Sequence, residues 1–312
     1  MKHNVKITII LLVMFFITQL IGLAVIHAYS PKQEVVFNET TQQEEIVNVT
    51  PQLPYGMQPP EDLEPGVSLT TIITAFIIAI VLIVLLSRIK AALFLKLWFF
   101  FVVVIALGLT ISPLLKGLAQ EYAPYIAAVI ALPLAFYKVF KRNLIVHNLT
   151  ELLIYPGIAT VFVPILNLWT VIILLLLISA YDMYAVWHSG FMQKMAKFQI
   201  QELKFFAGFF IPYVSAKDKA KIIEARKSKS EKGLKKIKVN LAILGGGDVV
   251  FPIITSGVVF RMWGFPQALL ISIFATLSLL WLFVIAKKGK FYPAMPFITI
   301  GCLVGIFFGW LI

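Results

Sequence analysis

Cysteine is nearly missing: Cys302 stands alone in 312 residues, so no intramolecular disulfide staples the chain. Histidine is scarce too. His3, His27, His147 and His188 do not fall at metal-ligand spacing, and no metal or cofactor is expected. Charge is thin. Asp, Glu, Lys and Arg make up 13% of the residues, about half the ~25% of soluble domains. Only four aspartates occur: Asp62, Asp182, Asp218 and Asp248. So little charge excludes a disordered chain, and hydrophobic residues at 60% exclude a water-soluble enzyme. Mean hydropathy is +0.92.

Long apolar runs are what the chain has instead. They fall at roughly 7–28, 67–87, 92–112, 123–140, 149–166, 168–187, 238–260, 266–286 and 292–312. Each is about the ~20 residues a helix needs to cross a bilayer, and twice the ~10-residue alternating pieces of a barrel strand. The expected fold class is an all-α polytopic membrane protein of about nine transmembrane helices. The first run follows a basic segment, as in a signal peptide. Ile7 to Ala28 is longer than the usual ~7–15-residue signal core, so a retained anchor is expected.

The net charge of +12 would point to nucleic acid in a soluble protein. Here it fits inner loops facing anionic lipid, and no nucleic-acid partner is expected. With the N-terminus in the cytoplasm, only Lys32, Lys116 and Arg261 of the 27 basic residues fall outside. The C-terminus then lies outside the cell. The expected organisation is an N-terminal half, 1–187, with six spans, a basic cytoplasmic loop, 188–237, and a C-terminal half, 238–312, with three. The outer segment 29–66 holds seven acids, one Lys and many Pro and Gln, and reads as flexible. It includes Asn38-Glu39-Thr40 and Asn48-Val49-Thr50, both of glycosylation-acceptor form. Phe191 to Tyr213 mixes aromatics with lysines and can lie along the membrane surface as an amphipathic helix, while the simpler reading of the whole loop is a solvated positive-inside segment. Residues 216–238 read as a Lys-rich tether.

Two aspartates fall within apolar runs, where an ionisable group is a functional candidate by default. Glu121 and Glu151 lie near run ends and read as interfacial. At helical rise, Asp182 lies roughly 9 Å from the inner end of its span and Asp248 roughly 15 Å. Adjacent antiparallel spans can bring the two face to face. A carboxyl pair in low dielectric shares a proton, one member charged and one neutral. Such a pair can activate water against a peptide carbonyl. It also suits proton-coupled transport. Tyr181 precedes the first aspartate, and its hydroxyl can reach toward the pair. Gly245, Gly246 and Gly247 precede the second and loosen the helix. Pro293-Ala294-Met295-Pro296 opens the last run and frees backbone groups.

Tyr181-Asp182, Gly245-Gly246-Gly247-Asp248 with Gly246 at the variable position, and Pro293-Ala294-Met295 resemble the motifs of the presenilin and signal peptide peptidase family. In that family the last motif usually ends in Leu. Met keeps its volume and apolarity. The resemblance implies an intramembrane aspartic endopeptidase with Asp182 and Asp248 as the catalytic pair. It makes Tyr181, Gly245 and Gly247 supports of the site, and Pro293, Ala294, Met295 and Pro296 a substrate-binding segment. The substrates would be transmembrane helices of other membrane proteins, unwound locally in the bilayer. The short loops are similar to archaeal members, which implies no obligate partner subunits. Gly301, Gly305 and Gly309 can pack within the chain or against a second copy, a route to a homo-oligomer. Two alternatives are a proton-coupled secondary transporter and a prepilin-peptidase-like membrane protease.

Overall fold

The computed structural model describes residues 5–38, 43–49, 51, 53–57, 70–71, 73–75, 77–78, 81–82, 85, 92–117, 121–141, 143–189, 207–214, 239–286 and 292–312. Eight continuous α-helices lie among them: α1 (Val5–Tyr29), α2 (Ala92–Leu115), α3 (Ala123–Phe140), α4 (Leu144–Phe162), α5 (Leu168–Tyr184), α6 (Gly246–Trp263), α7 (Phe265–Ile285) and α8 (Met295–Leu311). The expected span at 67–87 lies largely outside the described residues, and is helical where described between 70 and 85. The expected surface helix is outside them over 191–206, as is the tether over 216–238.

Among the described residues, six helices are long and apolar enough to cross a membrane: α1, α2, α3, α4 with its 3-10 extension, α5 with the π-turn after it, and α7. The helical ladder closes every backbone hydrogen bond internally, which hydrocarbon demands. Their starts are capped where the sequence supplies a cap. Asn143 accepts from the backbone N–H of Ile145 and Val146 at 2.9 and 3.2 Å and opens α4. That start lies five residues earlier than the expected 149 and draws Glu151 two turns into the helix. Asn167 and Thr170 form a capping box that opens α5.

The last two expected spans begin differently. Residues 239–245 are a strand, not the start of a helix. β4 (Val239–Gly245) pairs antiparallel with β3 (Gly208–Val214), Gly208 opposite Gly245 and Val214 opposite Val239. β3 thus replaces the C-terminal part of the expected surface helix. The physical reason is shared by both: short apolar segments bounded by Gly, which periodicity alone cannot assign. The segment read as flexible also carries order, a hairpin of β1 (Lys32–Asn38) and β2 (Gln43–Val49) rich in Val and Ile. Thr40 and Thr50 of the two acceptor triplets lie outside the described residues.

Helix α6 sits at the centre, against α1, α4, α5, α7 and α8. Its Val249, Ile253, Val258 and Val259 are buried with Leu11 and Phe15 of α1, Leu175 of α5, Ile271 of α7 and Ile298 of α8. A second core joins α2, α3 and α4, with Ala127, Ala131 and Ala135 lining α3 at four-residue spacing. Contact there is close: a Cβ on Gly157 would collide with the Ala106 carbonyl oxygen. Gly301, Gly305 and Gly309 lie against Ser278, Ile271 and Gln267 of α7, so this small-residue stripe serves intrachain packing.

Candidate active site

Asp182 stands in the last turn of α5 and is buried. Its Oδ2 accepts the backbone N–H of Met295 at 3.1 Å, and the Ala294 N–H also bonds to the carboxylate. These donors belong to the start of α8, where N–H groups have no intrahelical partner and the helix dipole favours an anion. Pro293 keeps the chain out of helix before this point, and Pro296 suits the first turn. The Pro293–Pro296 segment therefore presents backbone donors to Asp182. One turn back, Ser179 Oγ and Thr299 Oγ1 are 2.7 Å apart and tie α5 to α8.

Asp248 is the third residue of α6 and half-buried. Its carboxylate accepts the Gly245 backbone N–H and lies within the field of Asp182. The two aspartates from separate helices are thus brought together. The route differs from the expectation: Asp248 reaches this place through a strand-to-helix junction, not by ten residues of helix. The glycines do not loosen a continuous helix. Gly245 is the extended residue before α6, with φ −64° and ψ 148°.

Each glycine has its own contact. A Cβ on Gly245 would lie 3.2 Å from Asp248 Oδ2, and one on Gly246 would lie 2.6 Å from the Tyr155 hydroxyl oxygen. Gly247 is exposed, and a Cβ there would meet only Phe251, at 3.8 Å. The position expected to vary, Gly246, is therefore a tight one. Tyr181 is 48% exposed and makes no hydrogen bond to either aspartate among the described residues, so its expected reach toward the pair is absent. Gln19 of α1, fully buried, donates through Nε2 to the Val249 carbonyl at 3.1 Å and fixes the start of α6.

Several polar residues around the site were not anticipated. Asn148 of α4 holds β3 by its backbone, Nδ2 donating to the Phe210 carbonyl at 2.7 Å and Oδ1 accepting the Phe210 N–H at 2.9 Å. His147 Nε2 lies 2.8 Å from the Gly208 carbonyl oxygen. Glu151, expected near a span end, is 1% exposed inside the protein and forms a salt bridge with the buried Lys138 of α3. The signal was present in the sequence, because an acid and a base within two consecutive apolar runs are affordable only as a pair.

The family model for signal-peptide peptidase, presenilin aspartyl protease, matches residues 46–312. The chain belongs to this family. As a member of the presenilin and signal-peptide peptidase family it is an intramembrane aspartic endopeptidase, held in the membrane by several spans. Two solved structures of a presenilin family intramembrane aspartate protease share its fold. The one in space group C222 has a TM-score of 0.61 at 17% identity, covering 97% of this chain and 98% of the other. The one in space group P2 has a TM-score of 0.59 at 18% identity, covering 96% of each. No curated protein matches the chain. The family assignment displaces both the transporter and the prepilin-peptidase alternatives.

Proposed function

We propose that Asp182 and Asp248 are the catalytic pair of this protease. The charged member takes a proton from water, whose oxygen bonds to the scissile carbonyl carbon. The neutral member gives its proton to the carbonyl oxygen. Collapse of the tetrahedral intermediate breaks the C–N bond: the now-protonated member gives its proton to the leaving nitrogen, and the now-charged member takes a proton from a hydroxyl of the intermediate, which restores the shared proton and leaves a carboxyl and an amine. The observation that carries this reading is the meeting of two carboxyls from different helices, each held by backbone donors. Gly245 and the Pro293, Ala294, Met295 and Pro296 segment hold those carboxyls and border the bound substrate. Tyr181 and Gly247, both exposed, line its approach.

A transmembrane helix hides its carbonyls in its own hydrogen bonds, so it must unwind before water can attack. The sheet offers the unwound chain a place. Phe210 spends both backbone groups on Asn148, so even-numbered residues of β3 point away from β4. Pro212 on that same outer edge has no N–H to give. β3 is therefore closed to a further strand. By the register, Val239, Leu241, Ile243 and Gly245 turn their backbone groups outward from β4. Among the described residues this edge has no strand partner. It ends at Gly245, whose N–H meets Asp248. A substrate strand added there runs into the pair.

The basic residues support a cytoplasmic N-terminus and an outer C-terminus, and so a preference for substrates whose own N-terminus lies outside. Division into two halves joined by 188–237 is part of the same reading. The test uses the purified protein in detergent with a helical transmembrane reporter. Wild type cleaves, while Asp182→Ala and Asp248→Ala stay at background. Cleavage by both single variants at the wild-type rate refutes the pair. An N-terminal tag accessible outside intact cells refutes the orientation.

A further inference from the structure

Hydroxyls within the spans mostly spend their one proton on their own helix. Thr18, Thr160, Thr255, Ser272 and Thr276 each donate to the carbonyl four residues back. Ser179 of α5 does not. The carbonyl four residues before it, that of Leu175, receives instead the hydroxyl of Thr299 from α8, at 3.4 Å. Ser179 Oγ and Thr299 Oγ1 lie 2.7 Å apart. With the Thr299 proton on Leu175, the Ser179 proton goes to Thr299. A side chain of α8 is thus inserted into what would be a bond within α5. Ser179 and Thr299 are both buried, so the relay is shielded from solvent.

One turn further along both helices, Asp182 Oδ2 accepts the Met295 N–H at 3.1 Å. Asp182 follows Ser179 by three residues and Met295 precedes Thr299 by four, so the two contacts stand one above the other on the same pair of helices. Met295 is the first residue of α8, so its N–H has no carbonyl within the helix to meet. The chain just before it is not helical. The depth at which α8 presents its donors is therefore set by how α8 docks on α5. Apolar packing, Ile298 near Leu175 included, is non-directional and tolerates small slides, whereas hydrogen bonds do not. We propose that Ser179 and Thr299 are positioning residues for Asp182: their hydroxyl relay fixes the register of α8 on α5 and so holds the Met295 N–H on the carboxylate. The proposal rests on the reading of Asp182 as catalytic. The competing explanation is that the pair only joins two helices, in which case loss of a hydroxyl lowers stability and leaves the chemical step alone.

The test uses the full-length protein in detergent and small changes of shape. Thr299→Val deletes the hydroxyl and keeps the branched side chain. Ser179→Ala cuts the relay from the other helix. Thr299→Ser keeps the hydroxyl and drops a methyl. In reporter cleavage both relay-breaking variants lose kcat roughly three- to thirtyfold with KM within about twofold, the size expected for weakening a hydrogen bond to a charged group. Thr299→Ser stays within about threefold of wild type. The relay acts as a unit, so the double variant loses no more than about the larger single loss. The pH profile of kcat moves in the broken variants and not in Thr299→Ser. Hydrogen exchange at the Met295 amide, read by NMR, rises toward its rate in Asp182→Ala, and this readout does not need cleavage. If Thr299→Val does not fold, Ser179→Ala carries the same expectations. Unchanged kcat, pH profile and exchange in a folded relay-breaking variant overturn the proposal, as does a Thr299→Ser variant as slow as Thr299→Val. If Asp182→Ala still cleaves, the catalytic reading fails, while exchange at Met295 still decides whether the relay holds that amide.

Discussion

Lys138 and Glu151 offer a quantitative test of how the bundle is held. Lys138 is 5% exposed and Glu151 1%, and Glu151 Oε1 also lies 3.6 Å from His147 Nε2. An exposed ion pair contributes about 0–1 kcal/mol. Here neither charge can turn to solvent when its partner is removed. Lys138→Met leaves a buried carboxylate with no cation, and Glu151→Leu leaves a buried ammonium. Each single change should cost about 3–5 kcal/mol. That is roughly two to four orders of magnitude in the folding equilibrium. The double variant removes both charges and fills the space with apolar atoms of similar volume, so it should cost little. Its remaining loss is the Lys138 hydrogen bond to His147 Nδ1, about 1 kcal/mol. The coupling energy from the cycle should therefore exceed 3 kcal/mol in magnitude, against the ~0.3–0.5 kcal/mol tolerance of independent sites. The assay is reversible unfolding in mixed micelles, titrated with a denaturing detergent. Two single variants within 1 kcal/mol of wild type, or a double variant costing their sum, would show that the pair is not buried as described.

Two further predictions concern packing and the sheet. Gly157→Ala forces α4 away from α2, because the new methyl meets the Ala106 carbonyl carbon and oxygen, which are backbone and cannot rotate aside. Overpacking of this kind should cost at least about 1–3 kcal/mol in the same unfolding assay, and a neutral result would mean that the two helices are farther apart. Asn148→Leu removes both side-chain bonds to Phe210. Hydrogen exchange at the Phe210 amide should rise at least tenfold, with a loss of about 1–3 kcal/mol, and protection equal to wild type would disprove the clasp.

How far the sequence carried depends on which physical signal each element has. Continuous apolar runs identify spans, since hydrocarbon leaves the backbone little choice but a helix. They do not locate junctions. Val239-Asn240-Leu241-Ala242-Ile243-Leu244 reads equally as the first turns of a span or as a buried strand, and only pairing with β3 decides. Helical rise along 239–245 therefore does not give the depth of Asp248, although the helices that carry Asp182 and Asp248 are neighbours as expected. An apolar run beginning at 149 puts Glu151 at its end, whereas Asn143 caps the helix so that it starts at 144. Tyr155 and Asn148 gave no signal, because an isolated Tyr or Asn in an apolar run has no partner visible along the chain. Gly246 could not be weighed for the same reason: its contact comes from α4, far away in sequence.

The strand at 239–245 also answers a question that any protease of helices in a membrane must meet. Peptide hydrolysis needs water and an extended substrate, and both are foreign to a lipid-facing helical bundle. Non-helical backbone in a membrane protein persists only beside other protein groups or water. β3 meets that condition through Asn148, His147 and β4. Asn148 bonds to both backbone groups of Phe210, so it occupies the outer edge of β3 as a partner strand would. On β4, the outward groups of Val239, Leu241 and Ile243 have no such partner among the described residues. Something outside this set must bond to them, and on the proposed reading it alternates: water when the site is empty, an unwound substrate when it is full. The edge that binds substrate is then the edge that water occupies beforehand. Water is therefore at hand beside Asp248 when the scissile bond arrives.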